Sequence, residues 1–434
     1  MLVLIRKGRH DTSATASPTQ LLESSDRMSL RLLHTSDWHL GQHFMGKTRQ
    51  AEHQAFCDWL LEQVRLHQVD VVLIAGDIFD TGAPPSYARE QYNRFVVALR
   101  DTGAKLVVLG GNHDSVAMLG ESRELLACLD TWVVPAAMDN PADQVLVLPT
   151  RDGEPGALLC AIPFLRARDL LRSEAGQSAE DKQRSLQEAI AEHYQQCHAQ
   201  AVGLRRKHGP LPIVASGHLT TVGASASESV REIYVGSLEA FPTSAFPDAD
   251  YIALGHIHRP QKVGGQEHMR YSGSPIALSF DEAGQQKEVL LVDLDRIGLC
   301  GITPVPVPRF QPLLTLRGTL TEITAQLPEA AAAGTPECPV WLEIQVASDD
   351  YLSDLGARLA ELTRDLPVEV LRIRRERNGA SAALFGDSRE TLDEIDPLQV
   401  FQRRLEQETL DDDLRERLSL LHQQVLAELR EVQA

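Results

Sequence analysis

Cysteine is scarce in this chain of 434 residues, and the six present, Cys57, Cys128, Cys160, Cys197, Cys300 and Cys338, form no CxxC pair. That scatter argues against a structural zinc site and against a disulfide framework. Long apolar runs are missing too, so no segment has the length to span a bilayer. No secretory signal is evident, and a reducing cytoplasm is the expected compartment. Positive charge is also short: 42 Lys and Arg stand against 61 Asp and Glu, a net charge of −19. Such acidity disfavours nonspecific adhesion to nucleic acid over the whole surface. It leaves room for a local site where metal ions, a restricted basic patch or a partner supplies the positive charge.

What remains is an ordinary globular composition, 43% hydrophobic and 24% charged, with length for two or three domains. Residues 1–27 stand apart, with a short apolar start and then a Ser/Thr/Pro-rich stretch. They read as a disordered extension, with Met28 a candidate start immediately before the first convincing strand.

From Leu30 the pattern alternates. Short apolar runs at 30–34, 69–75 and 105–109 read as strands. Helical spacing lies between them, with Phe56, Trp59, Leu60 and Val64 on one face of 47–67, a second helix near 86–101 and a third after Ser115. This order predicts a mainly parallel sheet with right-handed crossovers. Further strands at 144–148, 157–162, 211–216, 250–255, 269–273 and 287–294 suggest a second, more antiparallel sheet, and the two together a layered α/β sandwich. Residues 167–208 read as a solvated helical excursion, and the prolines of 304–308 as a linker. A small α+β domain follows at 311–395, then helices from Pro397 to the end. Their stripes, Val400, Phe401 and Leu405, then Leu414, Leu418, Leu421, Val425 and Leu429, pack on the chain's own body or on a partner.

The polar residues track strand ends. HTSDWH closes the first strand with Asp37 and His39, and AGDIFD the second with Asp77 and Asp80. GGNHD closes the third with Asn112, His113 and Asp114. SGH ends a later strand at His218, and GHIH another at His256 and His258. Carboxyl ends of strands are where sites form in open α/β sheets. Two imidazoles at i and i+2 could be polar turn residues if met alone, but the ordered series reads as a ligand set. Asp, His and Asn without Cys suit Mn, Fe or Zn. Seven candidates exceed the needs of one ion, whereas two ions sharing one carboxylate fit, an arrangement that serves displacement at phosphorus.

In this order the motifs resemble the calcineurin-like metallophosphoesterase family, and the flanking text LHTSDWHLG, AGDIFDTGAPP and GHLTTVGA resembles its DNA-nuclease branch. The resemblance implies a layered αββα sandwich over residues 28–303 with an α+β cap at 311–395. One metal would be held by Asp37, His39, Asp77 and His258, and the other by Asp77, Asn112, His218 and His256, with Mn²⁺ the usual ion. His113 would assist the leaving group, with Asp80 orienting it through a hydrogen bond or serving only as a turn residue. It further implies a coiled-coil ATPase partner docked on residues 397–434, pairing of two nuclease subunits through helices near 86–100 and 115–128, and duplex ends and hairpins of DNA as substrates. Arg372, Arg374, Arg375 and Arg377 form the clearest basic cluster, readable as phosphate contacts or as a strand edge guarded by charge. A phosphatase of the same chemistry and a catalytically dead scaffold are the rivals. The scaffold would show missing ligands, and none is missing.

Overall fold

The computed structural model describes residues 30–171, 178–227, 229–230, 240–347 and 355–375, together with Leu418 and Leu421. The extension 1–27 and the C-terminal helices, those two leucines aside, lie outside the described residues. The chain divides into two compact units, Met1–Thr315 with Ala330–Leu342 and Pro367–Leu371, and Leu316–Glu329 with Glu343–Leu366 and Arg372–Ala434.

In chain order, β1 (Leu30–Thr35) is followed by a ribbon of β2 (His43–Phe44) and β3 (Lys47–Thr48), then by β4 (Val71–Ala75), β5 (Lys105–Leu109) and β6 (Thr131–Val134). Next come β7 (Val145–Pro149), β8 (Pro155–Cys160), β9 (Ile213–His218), β10 (Tyr251–Gly255), β11 (Gln261–Val263) and β12 (Gln266–Tyr271), and then β13 (Glu288–Asp295) and β14 (Gly298–Pro306). One six-stranded sheet has the order β14-β13-β1-β4-β5-β6, and another the order β11-β12-β10-β9-β8-β7.

In the first sheet β1, β4, β5 and β6 are parallel, as the alternation of strands and helices predicts. The antiparallel β13 and β14 extend it at one edge. Its apolar runs are buried on both faces. Leu33, Val72, Ile74, Leu106 and Val108 meet Phe56, Leu60 and Val64 of the helix Gln50–Leu66 and Phe95 and Leu99 of the helix Ser86–Arg100. The alternate residues, among them Leu32, Leu73 and Val107, pack against Leu159, Val214, Tyr251 and Ala253 of the second sheet. The outer face of that sheet, Leu158, Ile213, Ile252 and Leu254, is covered by the helix Ala179–His208. The result is helix, sheet, sheet, helix, the αββα sandwich.

Three details differ from the sequence reading. The second sheet is antiparallel only at its edges, because the crossovers from β8 to β9 and from β9 to β10 bring those strands back parallel, and β12 also runs parallel to β10. The helix Ala179–His208 is no solvated excursion: Leu186, Ile190, Tyr194, Cys197 and Ala201 form a buried stripe at helical spacing within a polar composition. Pro304 and Pro306 belong to β14 rather than to a linker. β14 is an edge strand, where a missing N–H breaks no ladder. Farther on, β15 (Leu313–Gly318), β16 (Val340–Val346) and β17 (Val368–Arg375) form a three-stranded sheet with β16 central, connected by the helices Leu320–Ala331 and Leu355–Thr363.

The two large sheets touch at their carboxyl ends. His218 Nδ1, at the end of β9, donates to the carbonyl of Ala75 on β4 at 2.9 Å. A Cβ on Gly255 would stand 1.9 Å from that same carbonyl oxygen and 2.9 Å from His218 Nδ1, and neither neighbour is the loose end of a flexible chain. Gly255→Ala is therefore expected to lower stability by about 1–3 kcal/mol, the usual scale of overpacking. A denaturant midpoint equal to that of the parent chain would show that the sheets can part here without penalty.

Candidate metal centre

The loops that leave these strand ends are bent in an unusual way. Asp37 (φ 54°), His39 (φ 48°), Asp77 (φ 51°) and His256 (φ 95°) all have positive φ. Few L-residues adopt such a backbone, though Asp and His do so more often than most. Each such residue costs on the order of 1–3 kcal/mol, and the conformation persists where surrounding contacts impose it. Here Asp37 N donates to Gly76 O at 3.0 Å and His39 N to Asp77 O at 3.1 Å. His256 N donates to Asp37 Oδ1 at 2.9 Å. The bend separates the residues of DWH: Trp38 turns into the core against Phe56 and Phe95, while Asp37 and His39 join the site.

All seven expected ligands come together. Potential ligand atoms of Asp37, His39 and His258 lie within 4.8 Å of one another, as do those of Asp77, His218 and His256, and all six residues are buried. Asp77 connects the groups, with Oδ2 at 3.2 Å from His218 Nε2 and 3.7 Å from His39 Nε2. Asn112 Oδ1 lies 2.9 Å from His218 Nε2 and 3.2 Å from His256 Nδ1. Gly111 makes this closeness possible, because a Cβ there would stand 2.1 Å from Asp77 Oδ1. His256 and His258 thus fall into different groups although only one residue separates them.

The electrostatics call for a cation. Burial pushes the Asp77 carboxyl up, but His218 and His39 outweigh it and hold the group well below the usual carboxylate range. Burial also disfavours charge on His218, yet Asp77 and Asp37 raise its pKa to about 9. His256, by contrast, is driven far below its ordinary value by burial and by His218. Nε2 of His39 and of His256 are buried with no hydrogen-bond partner among the described residues. A buried ring nitrogen without a partner is costly unless a ligand completes it. Imidazole, carboxylate and amide oxygen without sulfur form a donor set for divalent cations, and the residues fit that role.

His113 sits beside this cluster, its ring 4.6 Å from that of His39. Its backbone N donates to Asp77 Oδ1 at 2.9 Å, and its Nδ1 donates to the main-chain carbonyl of Asp80 at 2.7 Å. The Asp80 carboxylate itself lies 3.2 Å from Nδ1 of His39. Asp80 therefore meets His113 through its backbone and supports a candidate ligand with its side chain, a split that the motif GDIFD does not reveal. Several supporting groups have roles that a sequence reading does not give. Asp114 accepts from the backbone N–H of Gly111, Ile78 and Phe79, tying the loop after β5 to the loop after β4. Arg166 donates to the carbonyls of Gly111 and Asp114, on either side of Asn112 and His113. Glu282 approaches His258 Nδ1 at 3.2 Å. Asp114 carried a local signal, standing next to His113, whereas Arg166 and Glu282 lie in stretches with no metal-site pattern.

In the basic cluster, Glu343 pairs with Arg372 and stands 3.4 Å from Arg374 Nε. Arg375 lies at the end of β17, and Arg377 is outside the described residues.

Comparisons with known proteins place the chain in a family. Residues 30–260 match the family model of the calcineurin-like phosphoesterases, and residues 309–409 match that of the type 5 capsule protein repressor C-terminal domain. The chain is 55% identical over 392 residues to the SbcD subunit of the SbcCD nuclease from Escherichia coli (strain K12), covering 90% of this chain and 96% of that protein. The SbcD subunit of Rhodobacter capsulatus is 35% identical over 364 residues, covering 78% and 88% respectively. That of Bacillus subtilis (strain 168) is 30% identical over 332 residues, covering 75% and 81%. Buried donor groups at the strand ends of an αββα sandwich and similarity over nearly the whole length lead to one conclusion: the chain belongs to the calcineurin-like phosphoesterases and, within them, to the family of SbcD subunits of the SbcCD nuclease.

Proposed function

We infer that this metal-dependent nuclease hydrolyses DNA phosphodiester bonds with two divalent cations, Mn²⁺ in the first instance, as the nuclease subunit of a complex with an SbcC-type coiled-coil ATPase. In that complex it degrades duplex ends as a 3′–5′ exonuclease and opens hairpins as an endonuclease, in DNA repair, replication and recombination at the nucleoid. The observation that carries this reading is the set of buried donor groups around Asp77, with ligand atoms of Asp37, His39 and His258, of Asp77, His218 and His256, and of His39, Asp77 and His113 each within 4.8 Å of one another. Asp37, His39, Asp77 and His258 would hold one cation, and Asp77, Asn112, His218 and His256 the other.

Divalent cations, when bound, supply Lewis acidity toward phosphoryl oxygens and lower the pKa of water. The chain's own residues do the rest. The strained backbone of Asp37, His39, Asp77 and His256 fixes the donors before any substrate arrives. A carbonyl only accepts, so the contact with Asp80 O keeps a proton on His113 Nδ1. A proton that His113 passes to the departing 3′ oxygen must then come from Nε2 of the doubly protonated ring, which is left neutral with its proton on Nδ1. Asp80 and Asp114 hold the rings and loops in place.

The accessory parts fit the same reading. Residues 311–395 serve as the cap and 397–434 as the ATPase-docking segment. A cavity of about 700 Å³ beside the helix Ser86–Arg100, with Val97 and Leu125 exposed nearby, supports pairing of two subunits through these helices within a heterotetramer. Phosphate contact by Arg372 and Arg374 would have to compete with Glu343. Among the described residues no helix is long and apolar enough to cross a membrane.

The direct test is cleavage of a hairpin duplex with and without Mn²⁺, and with and without the ATPase partner. Metal-dependent cleavage is expected; strong phosphomonoesterase activity with no DNA cleavage would move the chain to the phosphatases. His113→Ala is expected to keep metal and DNA binding while cleavage falls by about 10²–10⁴-fold, and loss of metal would refute the assigned role. His256→Ala and His258→Ala should each weaken a different one of two Mn²⁺ binding events seen by calorimetry. His218, with its pKa near 9, is protonated at pH 7, whereas a ligating imidazole is neutral. Metal uptake at pH 7 must therefore release a proton, and affinity should climb with pH until about 9. Calorimetry in buffers of different ionisation heat reads this directly; heats that do not depend on the buffer would contradict it.

A further inference from the structure

Two opposite charges are buried together beyond the ligand set. Glu282, in the turn Phe280–Glu282, is fully buried, and Lys287, immediately before β13, is only 5% exposed. Lys287 Nζ donates to Glu282 Oε2 at 2.7 Å. Moving such charges out of water carries a penalty of several kcal/mol per ion, and a well-packed apolar pair often serves stability as well or better. Lys287 Nζ also donates to Ser274 Oγ at 3.0 Å, and both charges reach one residue of the ligand set. Glu282 Oε1 lies 3.2 Å from His258 Nδ1, and Lys287 Nζ donates to the main-chain carbonyl of His258 at 2.8 Å. Ser227 Oγ donates to Glu282 Oε1 at 2.6 Å, and Ser229 Oγ, also bonded to that oxygen, lies 2.6 Å from His258 Nδ1. Leu278 N donates to Glu282 Oε2 at 2.9 Å, and Ser274 N to the carbonyl of His258 at 3.1 Å. His258 is thus held at both ends, by its ring and by its backbone.

The two donor groups are supported differently. His39 and His258 both rest their Nδ1 against a carboxylate, Asp80 and Glu282 respectively. His218 rests its Nδ1 against a main-chain carbonyl. A carboxylate behind an imidazole fixes the ring's tautomer and makes the opposite nitrogen a stronger donor.

We propose that Glu282 and Lys287 are positioning residues for His258, and that the pair sets the affinity of the Asp37–His39–His258 group for its divalent cation while leaving the His218–His256 group unaffected. The proposal rests on His258 being a ligand, so its test must fail separately from that reading. Mn²⁺ calorimetry on the full chain compares the parent, His258→Ala, Glu282→Asp, and the double variant Glu282→Gln with Lys287→Met. The double variant removes both charges together, and melting of the metal-free protein checks that it folds. One binding event is expected to weaken by about 10–100-fold, the usual effect of losing such an outer partner, and it should be the event that His258→Ala weakens. Glu282→Asp keeps a partner for Lys287 but shortens the reach to the ring, so a smaller loss in the same event is expected, and this variant decides the matter where the double variant does not fold. If His258→Ala leaves both events intact, the ligand reading falls. If His258→Ala weakens one event and the Glu282 variants bind like the parent, or weaken both events equally, the positioning role falls. Failure of both Glu282 variants to fold would show a structural requirement and likewise overturn it.

Discussion

Asp77 is a carboxylate with almost no access to water, and the surrounding architecture makes that burial tolerable. An isolated charge so deeply placed would shed its charge rather than remain ionised. Asp77 keeps it because His218 lies at 3.2 Å, His39 at 3.7 Å, and the backbone N–H of His113 donates at 2.9 Å. Three different strand ends supply those neighbours. The two sheets must therefore meet at their carboxyl ends, where a side chain at Gly255 would keep them apart, and a side chain at Gly111 would push the loop after β5 off Asp77. A network that holds a buried carboxylate with imidazoles is one proton exchange away from holding cations, since neutral rings with vacated nitrogens are ligands.

The same demand explains the backbone. Five strand ends converge on a small volume, and each must present its side chains inward within a few residues of the strand. Extended chain would set Asp37 and His39 on one side and Trp38 on the other, but about 7 Å apart on a straight run, whereas here the loop must fold back onto Gly76 and Asp77. Left-handed turns at Asp37 and His39 achieve this, and the cross-loop bonds Asp37 N to Gly76 O and His39 N to Asp77 O hold the bend. The strain is borne by the large cores on both faces of the first sheet. Site and fold are then one problem, because the strand ends that carry the donors are continuous with the apolar runs that build those cores.

This continuity is why so much was legible beforehand. Continuous runs such as VVLIA and KLVVL announce strands buried on both faces, and a polar residue immediately after such a run is conspicuous. The polar residues at the strand ends could be read from that contrast, and so could the layered sandwich. What was illegible lacked a contrast of this kind. The helix Ala179–His208 hides its stripe in a polar composition, and β14 carries prolines that only an edge strand accommodates. The partners of β12 depend on which crossover returns where, which spacing does not encode. Asp80 was found by position but not by atom: a motif names a residue, whereas the choice between its carboxylate and its carbonyl is made by the turn. Glu282 lies 24 residues beyond His258, and only the folded turn brings the two together.

The charge balance of the chain closes the argument. A strongly acidic protein that acts on a polyanion must obtain positive charge locally. Several basic side chains around the described site are already committed to protein oxygens. Lys287 holds Glu282 and the carbonyl of His258, Arg166 holds the carbonyls of Gly111 and Asp114, and Arg49 holds Glu52 and the carbonyl of Ala277. These cations build the site rather than face its substrate. Once the imidazoles are neutral ligands, the charge of the cluster itself is that of Asp37 and Asp77, which repels phosphate. Divalent cations reverse that sign where a phosphodiester must sit, and their effect at such short range is screened little by salt. Acidity of the chain and chemistry on DNA are then compatible, because the donors that make the site negative are the ones that recruit the charge to make it positive.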